Sequence, residues 1–320
     1  MYEVNRDGCE RVGDMLKKKK EAQIWAVGGG KGGIGKSFIV STLGIHLAQQ
    51  GHKVILVDAD LGAANLHTFL GVGKPHISLT DFFEKKLPLS KLIVPSGIEN
   101  LGLLIGAVHS LAADSIKYAQ KTKLLRHIKK LDTDYVLIDL GAGAHFNTID
   151  TFLLADRMIV VIVPEITAIE NMYYFVKNVF FRQLMKTLTA NGHKEIFQDT
   201  WLNRATYKIT NLRQFVDHLT HSSEGVQAIV ARELDRFCVQ IILNQVRNNQ
   251  EIMIGTSVKS VCLKYFGLNA RYAGFLEYDD FIPRCINKRQ PYLQAYPESR
   301  CAKELGALAE NLIHGKQVEI

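Results

Sequence analysis

Ten residues near the start of this 320-residue chain, Gly28 to Ser37 (GGGKGGIGKS), have the types and spacing that could bind phosphate groups. Glycines allow successive backbone N–H groups to turn inward and form a concave anion site. The pattern G-x-x-x-x-G-K-[ST] is complete here, with a lysine for the β- and γ-phosphates and a hydroxyl for Mg²⁺. The motif therefore predicts a nucleoside triphosphate site, formed by Gly30, Lys31, Gly32, Gly33, Ile34, Gly35, Lys36, Ser37 and Phe38.

The segments on either side of this loop are those that a phosphate-binding loop requires. Ile24 to Val27 is a short apolar run that predicts a buried strand, and Phe38 to Gln50 has the spacing of a helix that ends at Gly51. Such a helix points the positive end of its dipole at the phosphates. Lys31 stands at the entrance to the loop, where a second cation could control hydrolysis.

Acidic residues follow two other apolar runs of the chain. Asp58 and Asp60 come after the run Val54 to Val57, and Asp139 comes after Tyr135 to Ile138. Because ligands of open α/β sheets bind at the carboxyl ends of the strands, we expect these carboxylates near the loop. There they could hold Mg²⁺ or orient an attacking water. Turn and helix-cap chemistry would explain the first two aspartates equally well.

Asn244 follows a further apolar run, Val239 to Leu243. Its amide can donate to and accept from the edge of adenine, by the hydrogen-bond pattern with which asparagine recognises adenine in DNA. The alternative is an ordinary turn-forming asparagine. Apolar runs, including Met158 to Val163, alternate with helical segments along the chain. This alternation predicts an α/β fold with a mostly parallel, doubly wound sheet and helices on both of its faces.

The sequence divides into a polar and basic arm (residues 1–20) and one P-loop domain (residues 21–320). The regular alternation lapses at about 183–237, which predicts a helical insertion with helices at Leu212 to Leu219 and Val226 to Phe237. Two aromatic residues of this stretch could be exposed anchors for a partner, but burial is the commoner state of such side chains. We therefore expect both to be buried; they are Trp201 and Tyr207.

Composition excludes several classes of protein. The chain is 47 % hydrophobic, but no apolar run is long enough to span a bilayer, so we expect a cytoplasmic protein. The five cysteines form no C-x-x-C pair, and reduced thiols without a metal site are expected. The net charge is +7, and the run Lys17 to Lys20 contributes to it. Such a run is either a solvated tail or a contact for phosphates or lipids.

Together these motifs resemble the MinD/ParA family of ATPases, which have a deviant Walker A motif. Residues 31–37 are similar to that motif, and 54–71 (VILVDADLGAANLHTFLG) resemble the family's second motif and switch I. Residues 136–144 (VLIDLGAGA) resemble its Walker B motif and switch II. The stretch DADLGAANLHTFLG is most similar to the branch of flagellar-number regulators, FlhG/FleN. Positions that match the family's base-side residues are Pro164, Glu165 and Asn244, and 278–299 resemble its closing segment.

The resemblance implies a slow ATPase with ATP and Mg²⁺ as cofactors, stimulated by a protein partner, which forms a homodimer on binding ATP. Lys31 would reach the phosphates of the other subunit, as an arginine finger does. The resemblance also implies that Lys36 binds phosphate and that Asp60 positions or activates water. The metal side is formed by Ser37, Asp58 and Asp139, and Asn65 contacts the nucleotide or the partner subunit. Such proteins act as spatial switches that position a flagellum or a division site.

The sequence departs from these relatives at both ends. The last helix, Ser299 to His314, has the pattern of a domain-closing helix, and residues 315–320 are too short for an amphipathic membrane anchor, so we expect no membrane binding through them. The arm also lacks the D-Q-A motif with which FlhG proteins often begin. The alternative function is that of a ParA-like partitioning ATPase that binds DNA without sequence preference. A steep salt dependence of DNA binding would distinguish the two.

Overall fold

The computed structural model of the protein describes residues 21–59, 65–73, 75–106, 123–124 and 126–318. Short apolar runs form most of the strands, because a strand covered on both faces needs no polar alternation. The strands are β1 (Gln23–Gly28), β2 (Val54–Asp58), β3 (Val94–Pro95), β4 (Leu101–Ile105), β5 (Tyr135–Asp139), β6 (Arg157–Ile162), β7 (Cys238–Val246) and β8 (Asn269–Glu277).

These strands form one sheet in the order β3-β4-β2-β5-β1-β6-β7-β8. All neighbours in it are parallel except β3 and β4, which are antiparallel. The predicted α/β fold with a mostly parallel, doubly wound sheet is therefore confirmed. Two strands were not predicted. Strand β3 has only two residues, and β8 has polar residues between its apolar ones, so that neither is a continuous apolar run.

Helices cover both faces of the sheet within the described ranges. They are α1 (Lys36–Gln49), α2 (Leu66–Phe69), α3 (Leu79–Glu84), α4 (Phe146–Phe152), α5 (Ile166–Ala190), α6 (Lys194–Leu202), α7 (Leu212–Thr220), α8 (Glu224–Arg236), α9 (Asn249–Val261), α10 (Phe281–Lys288), α11 (Tyr292–Ala295) and α12 (Arg300–His314). A 3₁₀ turn lies at Leu89–Lys91 and a π-helical turn at Cys262–Phe266, and residues 126–128 are also helical. Within the described ranges, no helix has both the length and the apolar character that crossing a membrane requires.

The core has one layer on each side of the sheet. Side chains of β1 alternate between the two layers: Ile24 and Ala26 pack in the first, with α5, and Trp25 and Val27 pack in the second, with α1 and α12. All four side chains are fully buried. The central strand is thus held from both sides, and the loop that follows it has a rigid support.

The stretch 183–237 contains helices, as predicted at Leu212 to Leu219 and Val226 to Phe237. Its proposed start falls inside α5, which continues without a break to Ala190. Whether this stretch is an insertion, and whether residues 21–320 are one domain, remain predictions. The arm 1–20, with the lysine run, lies outside the described residues.

The expected burial of two aromatic residues in this stretch is wrong. Trp201 is 44 % exposed and Tyr207 is 39 % exposed. One face of the Trp201 ring packs near Phe181, and the guanidinium of Arg204 lies 4.4 Å from its centroid. These side chains lie at the end of α6 and in the turn after it, where neighbouring side chains cover each ring only in part.

Candidate functional site

The glycine-rich loop joins the end of β1 to the start of α1, at the carboxyl edge of the sheet. Gly35 is the N-cap residue of α1 and has φ of 89°, a left-handed conformation that glycine adopts without strain. A Cβ at this position would lie 2.2 Å from Nδ2 of Asn244. A Cβ on Gly30 would lie 2.2 Å from the backbone oxygen of Asn171. Close packing therefore requires glycine at both positions, and the left-handed backbone requires it at Gly35 as well.

The substitution Gly35→Ala is expected to weaken nucleotide binding by about tenfold or more, because the loop must move away from Asn244 and its N–H groups lose their alignment. Gly51→Ala is the matched control. Gly51 has φ of 88° and nothing within 4 Å of the added methyl group. Alanine at this position therefore strains the backbone but does not clash with a neighbouring side chain. Binding of a fluorescent ATP analogue measures both variants. Equal affinities for the two would contradict the role of the close contact.

A cleft of about 410 Å³ opens directly above this loop. Lys36 is only 8 % exposed, and its Nζ lies 3.3 Å from the backbone oxygen of Lys31, so the ammonium group is held at the loop. Ser37 follows it at the start of α1 and also lines the cleft. Six residues of the predicted phosphate site line this cleft: Gly32, Gly33, Gly35, Lys36, Ser37 and Phe38. The other three, Gly30, Lys31 and Ile34, are not among its described lining residues.

Two of the predicted metal-binding carboxylates lie side by side at the sheet edge. Asp58 and Asp139 are the last residues of neighbouring strands and are paired in register. Both are buried, and Asp58 accepts a hydrogen bond from the backbone N of Leu66 at 3.0 Å. Two carboxylates and the Ser37 hydroxyl are the hard oxygen donors that Mg²⁺ prefers, so the donor set fits this ion. Asp60, predicted to orient water, lies outside the described residues.

Lys31 does not line the cleft of its own chain in the described structure. Its Nζ forms an ion pair with Glu165 at 2.5 Å and a hydrogen bond with the Thr167 hydroxyl at 3.2 Å. Both partners lie at the start of α5, outside the loop. The lysine and glutamate side chains are 37 % and 58 % exposed, so solvent screens the pair. This lysine is therefore held at the rim by a weak contact.

The substitution Glu165→Gln is expected to lower the free energy of unfolding by less than about 1 kcal/mol, because exposed ion pairs contribute little to stability. Thermal or urea unfolding of the purified variant measures this. The matched control is Asp150→Asn, which breaks the mostly buried bidentate pair with Arg182 and should cost more. A larger loss for Glu165→Gln than for the control would show that the rim contact is a structural one.

The end of the cleft at which we predict the adenine base is lined by both predicted and unpredicted residues. Asn244 is 4 % exposed and donates from Nδ2 to the backbone oxygen of Ile34 at 2.9 Å, which ties β7 to the loop. Asn65 also lines the cleft. Pro164 and Glu165, predicted at the base side, are not among the described residues that line it. Sequence reasoning did not identify the remaining lining residues of this end: Phe69, Gln245, Glu277, Tyr278, Asp279, Ile282, Pro283 and Ile286.

These missed residues come mainly from the segment after β8. Asp279 accepts hydrogen bonds from the Tyr292 hydroxyl at 2.5 Å and from the backbone N of Phe281 at 2.7 Å. Burial and the bond to Asp279 raise the pKa of Tyr292, so that it remains a neutral donor. The guanidinium of Arg247 lies 4.1 Å from the Tyr278 ring. The sequence analysis did not predict this wall of the cleft because it did not predict β8. The position of the segment depends on where β8 ends.

Comparisons with known proteins show which family and which fold this chain shares. A protein-family model described as an AAA domain matches residues 22–191, which is more than half of the chain. The septum site-determining protein MinD of Helicobacter pylori is 34 % identical over 152 residues, which cover 47 % of this chain and 56 % of that protein. The chain thus spans about half the length of this relative.

Two further comparisons cover most of the chain. The antiactivator FleN of Pseudomonas aeruginosa is 22 % identical over 292 residues, which cover 91 % of this chain and 86 % of that protein. The structure of the septum site-determining protein MinD from Pyrococcus horikoshii, complexed with Mg-ADP, superposes with a TM-score of 0.62 at 21 % identity. It covers 93 % of this chain and 100 % of that one, and this likeness shows the shared fold.

Proposed function

The chain belongs to the MinD/ParA family of ATPases, and from this premise we propose that it is an ATP-hydrolysing regulator that dimerises when ATP and Mg²⁺ bind. As a spatial switch in the cytoplasm, it would help to position a flagellum or a division site. ATP hydrolysis is a general property of the family. The slow, partner-stimulated turnover and the cellular role are specific to the proposal.

One observation carries the proposal: the two lysines of the loop are in different environments. Lys36 is buried beside the cleft, whereas Lys31 is at the rim and contacts Glu165 and Thr167. A cation at the rim is placed to meet phosphates of a second molecule rather than those of its own cleft. Its contact with Glu165 is weak enough to be exchanged for a phosphate contact when two subunits meet.

The residues of the site would divide the work as follows. A Mg²⁺ ion held by Ser37, Asp58 and Asp139 would neutralise charge on the phosphate oxygens. Lys36 and the backbone N–H groups of the loop would hold the β- and γ-phosphates. Lys31 of the partner subunit would add positive charge at the γ-phosphate only in the dimer, and Asp60 would orient the attacking water. Loss of the γ-phosphate contacts would then release the dimer.

The flagellar branch is favoured by the extent of the likeness to FleN, which spans most of both chains. FleN is named an antiactivator, and we propose by analogy that this chain acts through a protein partner. That partner would bind one nucleotide state better than the other, since a ligand shifts an equilibrium only by its differential affinity. The partner and the positioned structure are part of this proposal.

Light scattering of the purified chain tests the proposal. With a slowly hydrolysed ATP analogue and Mg²⁺, the measured mass should rise from 35.9 kDa to about twice that value, whereas ADP should leave it unchanged. Addition of ATP itself should give a dimer that decays as phosphate is released. A protein that binds the analogue but remains monomeric would overturn the dimer switch.

The second candidate is a partitioning ATPase that binds DNA, and the net charge of +7 favours it. Anisotropy of a labelled duplex, measured at several salt concentrations with ATP and with ADP, distinguishes the two functions. A partitioning ATPase should bind the duplex only with ATP and lose affinity steeply as salt is added. The positioning switch should show no ATP-dependent binding.

A further inference from the structure

A second cavity lies at the amino edge of the sheet, opposite the nucleotide cleft. We call it the amino-edge cavity; it has a volume of about 540 Å³ and is lined by the starts of β6 and β7 and by α5 and α8. Cys238, which lines it, and Asn244, which lines the nucleotide cleft, are six residues apart on β7, or about 20 Å. The volume is within the range of small-molecule sites. The cavity is therefore separate from the proposed ATPase site.

Positively charged groups converge at one end of the amino-edge cavity. A methyl group on Gly315 would lie 2.8 Å from one guanidinium nitrogen of Arg271 and 3.6 Å from one of Arg157, so the two side chains are close neighbours. Arg157 donates to the backbone oxygen of Ile313 at 3.2 Å, at the end of α12. Arg271 makes no hydrogen bond within the described part of the chain. Like charges this close favour an anion between them.

The carboxylates that line the same cavity do not neutralise these guanidiniums in the described structure. Asp156 accepts from the backbone N of Ile24 at 2.9 Å and pairs with Lys129 at 3.4 Å. Glu233 accepts from the Gln183 amide at 2.6 Å. The third, Asp235, is exposed at the rim. Among the residues that the structure describes, neither guanidinium is therefore paired with a carboxylate.

A buried amide provides a second, independent observation. Gln240 lines the amino-edge cavity and is 3 % exposed, and its Oε1 has no hydrogen-bond partner among the described residues. Its Nε2 has only a weak contact, 3.8 Å, with the sulfur of Cys238. An unpaired buried amide oxygen is destabilising, and a ligand that donates a hydrogen bond to it would remove that cost.

From this arrangement we propose that the amino-edge cavity binds a small organic oxyanion, a carboxylate or a phosphate monoester, that also carries a hydroxyl or amine donor. The anion contacts Arg271 and Arg157, and the donor contacts Oε1 of Gln240. Both halves of the ligand are required, because the arginines supply only donors and the buried oxygen supplies only an acceptor.

The reactivity of the Cys238 thiol can report whether this cavity is occupied. Burial raises the pKa of its thiol, and the nearby Arg271 and Arg157 oppose that rise, so both guanidiniums lie close enough to act on the sulfur. A bound oxyanion would cover the thiol and cancel the positive charge that favours the thiolate. Alkylation of Cys238 should then slow, because the thiolate is the reactive form.

The test follows alkylation of Cys238 by N-ethylmaleimide, with peptide mass spectrometry, in the full chain. ADP and Mg²⁺ are present so that anions do not compete for the P-loop, and sodium chloride matches the ionic strength. Citrate and glycerol 3-phosphate are the probes, since each has an oxyanion and a hydroxyl. Sulfate is the matched anion without a hydroxyl.

We expect citrate or glycerol 3-phosphate to slow the alkylation of Cys238 about fivefold or more, with half of the effect reached below about 1 mM. Sulfate should slow it much less. Which probe protects distinguishes a carboxylate from a phosphate ligand.

Two variants make the result specific. Arg271→Gln should remove the protection, while Arg204→Gln, an exposed arginine beside Trp201, should retain it. Gln240→Leu should keep the fold, since it replaces an unpaired polar group by an apolar one, and should abolish the preference for hydroxyl-bearing anions over sulfate. Protection that appears only at tens of millimolar, or that survives Arg271→Gln, would show an adventitious ion only. Absence of protection by every probe would overturn the proposal, and neither result depends on the ATPase site.

Discussion

Replacement of Lys36 by alanine is expected to weaken ATP binding by about tenfold to a hundredfold. The loss of one charge-assisted contact to phosphate is worth about 1.5–3 kcal/mol, and 1.4 kcal/mol is a tenfold change in affinity. Lys36 is 8 % exposed and already held at the loop, so little ordering is needed when a phosphate binds. Removal of the ammonium group therefore loses most of the contact energy with little entropic compensation.

Titration calorimetry with ATP and Mg²⁺ measures this effect. Lys53→Ala is a suitable control, since Lys53 is an exposed lysine paired with Asp132 before the start of β2, at the other edge of the sheet. Its affinity for ATP should equal that of the unchanged protein. Circular dichroism verifies that both variants are folded. Unchanged affinity in a folded Lys36→Ala protein would disprove the assignment of the phosphate site.

Replacement of Lys31 by alanine is expected to impair dimerisation and turnover rather than ATP binding. ATP affinity should change little, because Lys31 contacts Glu165 and Thr167 at the rim rather than lining its own cleft. Dimerisation with a slowly hydrolysed analogue should be lost, and turnover should fall by about a hundredfold or more, as expected for a cation supplied across an interface. The two lysines of one loop would thus separate binding from assembly.

Light scattering and phosphate release measure these two effects in the same preparation. The matched control is Lys194→Ala, an exposed lysine at the start of α6. It should dimerise and hydrolyse ATP normally. A Lys31→Ala protein that forms a full dimer and turns over at the original rate would refute the role in trans. A variant that loses ATP affinity instead would place Lys31 at its own cleft.

Local sequence patterns predicted most of the central sheet, because buried parallel strands are continuous apolar runs that need no information from distant residues. Strand β8 failed this test, since polar residues interrupt its apolar ones. The wall of the cleft that follows it, from Glu277 to Ile286, was missed for the same reason. The exposure of Trp201 was also missed, because burial depends on which helices pack around the ring and not on the residue type.

The sequence by itself determined the phosphate loop, since a left-handed glycine, a lysine and a hydroxyl at fixed spacing define the anion site within a few residues. It also placed Asp58 and Asp139 at strand ends. Only the tertiary structure decided two contacts of this loop. Asn244 donates a hydrogen bond to the backbone oxygen of Ile34, 210 residues away, and Lys31 pairs with Glu165. These contacts join segments that are distant along the chain, and their geometry is set by the register and packing of whole strands and helices. A local pattern of residues does not predict these contacts, because they depend on how the whole core packs.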